Sequence, residues 1–178
     1  MSYTEMHLIG EDGRVKRTHE YPNGSSAMVL WMSIGAKAGV PFTLFAGDGA
    51  LKPFWALHQS EKLAAHERTA LRSTYDGAVC TDLLGMADAF EKASETLPRE
   101  PSQVWHFPAM AVHLREAAAA GDIQAVGWTV TSVSGSVFDG RCGDTEAGEN
   151  EHIPFDLNDP EWRKKVFICD VDVDASGR

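Results

Sequence analysis

Cysteine is scarce in this chain and poorly placed for a metal or a redox pair. Only Cys80, Cys142 and Cys169 occur, with long gaps between them. No C-x-x-C pair exists, which removes zinc knuckles and thioredoxin-like motifs, so free, reduced thiols are the expectation. Long apolar runs are missing as well. The longest, Ala27 to Met32, falls far short of the roughly 20 residues a membrane helix needs. The N-terminus lacks the basic region and apolar core of a secretory signal. Positive charge is in short supply: 16 Lys and Arg stand against 26 Asp and Glu, a net charge of −10. Such a surface is repelled by nucleic-acid phosphates and attracts basic partners. The expectation is a cytoplasmic protein with a protein partner, no membrane contact, no direct nucleic-acid contact and no cofactor. Nothing in the sequence sets the oligomeric state.

Catalytic fingerprints are also lacking. His66-Glu67 is not the start of H-E-x-x-H, because position 70 is Ala70, and adjacent helical residues diverge by about 100°. The hydroxyl-rich run Thr131 to Ser136 is neither a nucleophile elbow nor a phosphate loop. Cys80 lies between Asp76 and Asp82, which disfavour a thiolate. His106 and His113 are seven apart and share a helical face only if the helix begins before Pro108, which the ring disfavours.

What is present describes an ordinary globular interior. The hydrophobic share is 43% over 178 residues, enough for one domain spanning 1–178 without staples. Met6 to Ile9, Asp12-Gly13 and Val15 to His19 read as a hairpin. Ser25 or Ser26 is placed to cap a helix over Ala27 to Ala38, with Gly39 at its end. Val40 to Phe45 reads as a short strand, and Phe54, Trp55 and Leu57 as a helical turn. Ser60 is placed to cap a helix from Glu61 to about Tyr75, with Glu67 and Arg72 on its outer face, and Asp76-Gly77 ends it. Thr81 caps the next helix, whose stripe includes Leu83, Leu84, Ala87 and Phe90 and which Pro98 stops. Pro108 opens another that ends at Gly121.

Val126, Trp128 and Val130 then alternate with small or polar residues, as a half-buried strand does. Ser134-Gly135 turns the chain into a strand around Val137 and Phe138, and a last strand runs from Lys165 to Val173. Strands, a block of about four helices, then strands again argue an α+β fold with a mostly antiparallel sheet.

Three features are candidates for function. The segment at about 139–161 is an acidic loop, and Asp139, Asp144, Glu146, Glu149 and Glu151 on it form a candidate interface. Trp162 follows as a possible aromatic anchor. Asp170, Asp172 and Asp174 share one face of a strand by period two, where crowded carboxylates can hold a divalent cation.

Asn23-Gly24 before Ala27-Met28 and Trp31, then Glu67-Arg68, Leu71 and Thr74-Tyr75-Asp76, then Thr131-Ser132-Val133, resembles small bacterial and phage proteins without an assigned activity. The resemblance implies a prokaryotic or phage setting and transfers no catalytic residue. Two readings follow. The first is a non-enzymatic acidic interaction module: an inhibitor of the anti-CRISPR or immunity type that binds the basic surface of a nucleic-acid-handling complex. The alternative is a small intracellular hydrolase that uses the aspartate trio, a metal and a histidine.

Overall fold

The computed structural model describes residues 3–42, 50–130, 136–139, 141–144 and 150–173. The expected hairpin forms: β1 (Tyr3–Gly10) pairs antiparallel with β2 (Val15–Pro22). Gly13 makes the turn at φ +82, a value open to glycine without strain. Helix α1 (Ala27–Ala38) has the bounds its apolar spacing predicts. Ser26 precedes it, but its hydroxyl lies within hydrogen-bond distance of Thr4 Oγ1 (2.9 Å) and the Pro22 carbonyl (2.8 Å), and the first turn has no side-chain cap. Its Gly35 is sterically required. A Cβ there would lie 2.7 Å from the Val40 carbonyl oxygen, where the chain doubles back after Gly39. Val40 to Phe42 carry no strand, and the rest of the strand expected over Val40 to Phe45 lies outside the described residues.

Helix α2 (Lys52–Trp55) runs into a 3-10 turn, Ala56–Gln59. Helix α3 (Ala65–Arg72) begins five residues beyond Ser60, the expected cap. The Glu67 carboxylate takes the Ala64 N–H (3.0 Å), and Arg68 Nη1 takes the Leu63 carbonyl (2.6 Å). These bonds hold 60–64 as an entry turn. Glu67 is therefore not on an outer face. It is 0% exposed and joins three helices through Lys37 Nζ (2.6 Å) and the Thr96 hydroxyl (3.2 Å). The short strand β3 (Ala78–Cys80) follows, wholly buried.

Helix α4 (Leu83–Thr96) is capped by Asp82, which accepts from the Gly85 N–H at 2.8 Å. Thr81 is one residue too early, and Leu84 of the expected stripe is exposed. Helix α5 (Phe107–Ala120) has Pro108 in its first turn, and β4 (Ile123–Thr129) returns to the sheet. The segment around Val137 and Phe138 is a 3-10 turn, not a strand. The acidic segment contains regular structure: β5 (Arg141–Asp144) pairs antiparallel with β6 (Asn150–His152). Helix α6 (Pro160–Arg163) and the two-residue β7 (Phe167–Ile168) close the chain. The strand expected over Lys165 to Val173 is that short.

The main sheet has the order β2-β1-β4-β3-β7, antiparallel except for the β3–β7 pair. This is the α+β architecture expected. Helices α1, α3, α4 and α5 supply the larger core on one face, with Leu30, Leu71, Phe90, Leu114 and Trp128 at its centre. A smaller core of Ile9, Val79, Ala125, Phe138, Phe155, Leu157 and Trp162 covers the other face. Strand β4 is consequently buried on both sides from Ala125 to Thr129, not half-buried. Gly127 makes this possible, because a Cβ there would collide with the Phe138 ring. Among the described residues no helix is long and apolar enough to cross a membrane.

Candidate functional site

Four separated segments meet at one end of the helical layer. Trp31 comes from α1, Lys52 and Trp55 from α2, and Ala56 and His58 from the 3-10 turn. Thr74, Tyr75 and Asp76 come from the connection between α3 and β3, and Val130 from the end of β4. They enclose an open basin of about 590 Å³, within the size range of small-molecule sites. Trp31, Trp55 and Tyr75 stay half-exposed around it.

The aromatic walls are fixed from behind. The Trp31 and Trp55 rings meet edge to face (centroids 5.6 Å, 87°), as do Trp55 and Tyr75 (5.2 Å, 83°). The buried Phe54 packs against Trp55, and the half-buried Phe42 packs against Trp31 and Phe54. Trp31 Nε1 donates to Thr74 Oγ1 (2.8 Å), whose own hydroxyl donates to the Leu71 carbonyl (2.7 Å). Tyr75 Oη donates to the Trp55 carbonyl (3.0 Å) and lies 2.8 Å from His58 Nδ1, itself 2.7 Å from that carbonyl. Burial pushes the Tyr75 phenol up to about 12, against a smaller opposing pull from Arg72. Tyr75 is therefore a neutral donor at physiological pH. The Asp76 carboxylate stands exposed at the rim. Burial beside the apolar walls raises its pKa, against a smaller opposing pull from a hydrogen bond with the Val130 backbone.

Of the aspartate trio, the two described members, Asp170 and Asp172, belong to no cation cluster among the described residues. Asp172 is drawn into α3, where Oδ2 accepts from Arg68 Nε (2.6 Å) and Oδ1 from Arg72 Nη1 (2.5 Å). Its backbone N–H donates to Thr69 Oγ1 (2.9 Å). Burial works to raise its pKa, but the two guanidiniums outweigh that and hold it below the usual carboxylate range. Asp170 is exposed, and Asp174 lies outside the described residues. Among the described residues no three His, Cys, Asp or Glu side chains are grouped to hold a metal. Arg72 nevertheless matters to the basin, because its Nη2 donates to the His58 carbonyl (2.9 Å).

The candidate interface residues divide. Asp144 and Glu151 belong to the β5–β6 hairpin, and Asp139 ends the 3-10 turn that precedes it. Glu146 and Glu149 lie outside the described residues. Trp162 is 5% exposed and packs on Phe155 (5.5 Å), with Lys165 Nζ 4.3 Å above its ring. Its indole is committed to the second core and is not presented to a partner.

Histidines converge at a second place. His19 of β2 stacks on His113 of α5 (4.1 Å, 15°), and His113 Nδ1 lies 2.6 Å from Tyr21 Oη. His106, the residue before α5, also approaches the Tyr21 ring (5.8 Å), so it and His113 share a neighbour.

Sequence reasoning placed Trp31, Trp55 and Tyr75 in elements but did not single them out as a site. Each sits at ordinary core spacing, and only the tertiary fold brings them together. No protein-family model, no curated protein and no solved structure matches the chain.

Proposed function

We propose that this protein is a binding protein for a small organic molecule, held in the Trp31–Trp55–Tyr75 basin. The observation that carries the reading is a cavity of about 590 Å³ whose walls are half-exposed aromatic rings, with a few fixed polar groups at the edge. Binding sites combine these two ingredients: apolar walls supply affinity and sparse polar groups supply orientation. The test is intrinsic tryptophan fluorescence titrated with three compact probes: benzyl alcohol, 3,3-dimethylbutan-1-ol and tetramethylammonium. At least one should give a saturable change. Ala56→Trp, which places a bulky ring in the basin from an exposed position, should abolish it without lowering the melting temperature. No saturable response from any probe, or a response that survives Ala56→Trp, refutes the reading.

A second reading is the acidic inhibitor that binds a basic surface of a nucleic-acid-handling complex. What supports it is the net charge of −10 and a hairpin that carries Asp144 and Glu151 on paired strands. Charge reversal at Asp144, Glu146, Glu149 and Glu151, together with added salt, should weaken capture of a basic partner. Capture indifferent to both changes would remove it.

A further inference from the structure

We infer that the ligand of the basin is a compact organic cation of the methylated-ammonium type. The inference rests on the small-molecule reading above and names the ligand class.

Flat aromatic ligands are held best between parallel or offset walls. Here successive walls are nearly perpendicular, at 87° between Trp31 and Trp55 and 83° between Trp55 and Tyr75. Walls at right angles form a corner, and a corner fits a rounded group better than a plate. Indole and phenol faces carry negative quadrupole potential and attract cations. The indole N–H of Trp31 is turned to Thr74 and the phenolic hydrogen of Tyr75 to the Trp55 carbonyl. The polar hydrogens of both rings are thus used on the protein, which leaves their carbon surfaces as walls.

Asp76 is the only acidic group and Lys52 the only Lys or Arg among the described lining residues. The two are not equivalent. Asp76 is hydrogen-bonded to the Val130 N–H and stands beside apolar walls that disfavour its charge, so an incoming positive charge is favoured there. Lys52 is exposed on a long stem and can keep its ammonium in water. The half-buried Arg72, which bonds the His58 carbonyl, is also paired with the Asp172 carboxylate. The net charge of −10 attracts cations at longer range.

The test is a pair of isosteres, choline and its uncharged analogue 3,3-dimethylbutan-1-ol, titrated against the full chain by tryptophan fluorescence and by calorimetry. Choline should bind about ten-fold more tightly, the factor a desolvated cation–aromatic contact supplies. Asp76→Asn should cut choline affinity several-fold and leave the alcohol unchanged. Trp55→Phe, which weakens the ring potential while keeping an aromatic wall, should lower choline affinity more than that of the alcohol. Equal binding of both isosteres, or Asp76→Asn without effect, overturns the cation assignment and leaves the binding site in place. If neither isostere nor benzyl alcohol binds, the binding site itself is refuted.

Discussion

Removing the Glu67 carboxylate should cost this protein a large part of its stability, because one buried side chain joins three helices. Its oxygens accept from Lys37 Nζ on α1, from the Ala64 N–H at the start of α3 and from the Thr96 hydroxyl on α4. The side chain of Glu67 is 0% exposed and that of Lys37 34%. This asymmetry sets the magnitude. Breaking a buried ion pair costs about 3–5 kcal/mol, largely because the surviving charge is stranded. In Glu67→Ala the survivor is Lys37, which can reach water, so the low end applies, about 3 kcal/mol. For a domain of this length each kcal/mol lowers the melting temperature by about 2–4 °C, so the drop should be about 6–12 °C. Lys37→Met strands the buried partner instead and should cost more. The double variant should cost less than the two singles summed, with a coupling of about 1–3 kcal/mol. Urea unfolding followed by far-UV circular dichroism measures all four proteins. A Glu67→Ala loss below about 1 kcal/mol, or an additive cycle, would show that the carboxylate is not the joint described.

Three further outcomes follow from other contacts. Asp172→Asn should cost about 1–2 kcal/mol at neutral pH by weakening two charge-assisted hydrogen bonds. Because the folded pKa of Asp172 is depressed, that contribution is complete above the usual carboxylate range and disappears as pH falls through the lowered value. The gap between wild type and variant in denaturant midpoint should therefore close in acid. His19 is held below its usual 6.5, first by burial, then by His113 and Arg17, with Glu116 opposing. The unfolded chain takes the proton first, so stability should fall as pH drops below 6.5, and His19→Phe, which keeps the stack on His113, should flatten the thermal-melt profile. Gly127→Ala should destabilise by about 1–3 kcal/mol in denaturant titrations, since the added methyl meets the Phe138 ring. A stabilising alanine there would contradict the packing of the second core.

Periodic signals were readable where local and tertiary forces agree. The bounds of α1, the N-terminal hairpin and the C-terminal Gly121 of α5 all come from short-range rules, and all hold in the structure. Failures occur where a distant partner decides. Glu67 reads as a surface residue because a charge on a helix usually faces water, and nothing nearby in sequence reveals Lys37 and Thr96. The three residues of β3 are too short to show a period, yet they sit between β4 and β7. Strand β4 reads as half-buried because Gly127 and Thr129 are small or polar. The second core, built from Phe138, Phe155, Leu157 and Trp162, buries that face as well. The basin was invisible for the same reason: its walls are contributed by residues up to 99 positions apart, Trp31 and Val130, and no short-range spacing joins them.

The basin itself has a stability cost, and that cost is an argument for its use. Half-exposed Trp31, Trp55 and Tyr75 leave apolar surface in contact with water, at about 25 cal/mol for every Å² that could have been covered. The fold had simple means to cover it. Ala56 lines the cavity and is exposed, so a larger side chain there meets no packed neighbour in the core. If the cavity were only imperfect packing, Ala56→Trp would raise the melting temperature with nothing lost. If the cavity is kept open for a ligand, the same change should raise stability in the free protein and remove the further stabilisation that a bound probe gives to wild type. Thermal melts of both proteins, with and without saturating choline, separate the two cases. A melting temperature that falls in the free variant would mean that the walls are less rigid than their hydrogen bonds to Thr74, Trp55 and His58 imply, and the argument from packing would fail.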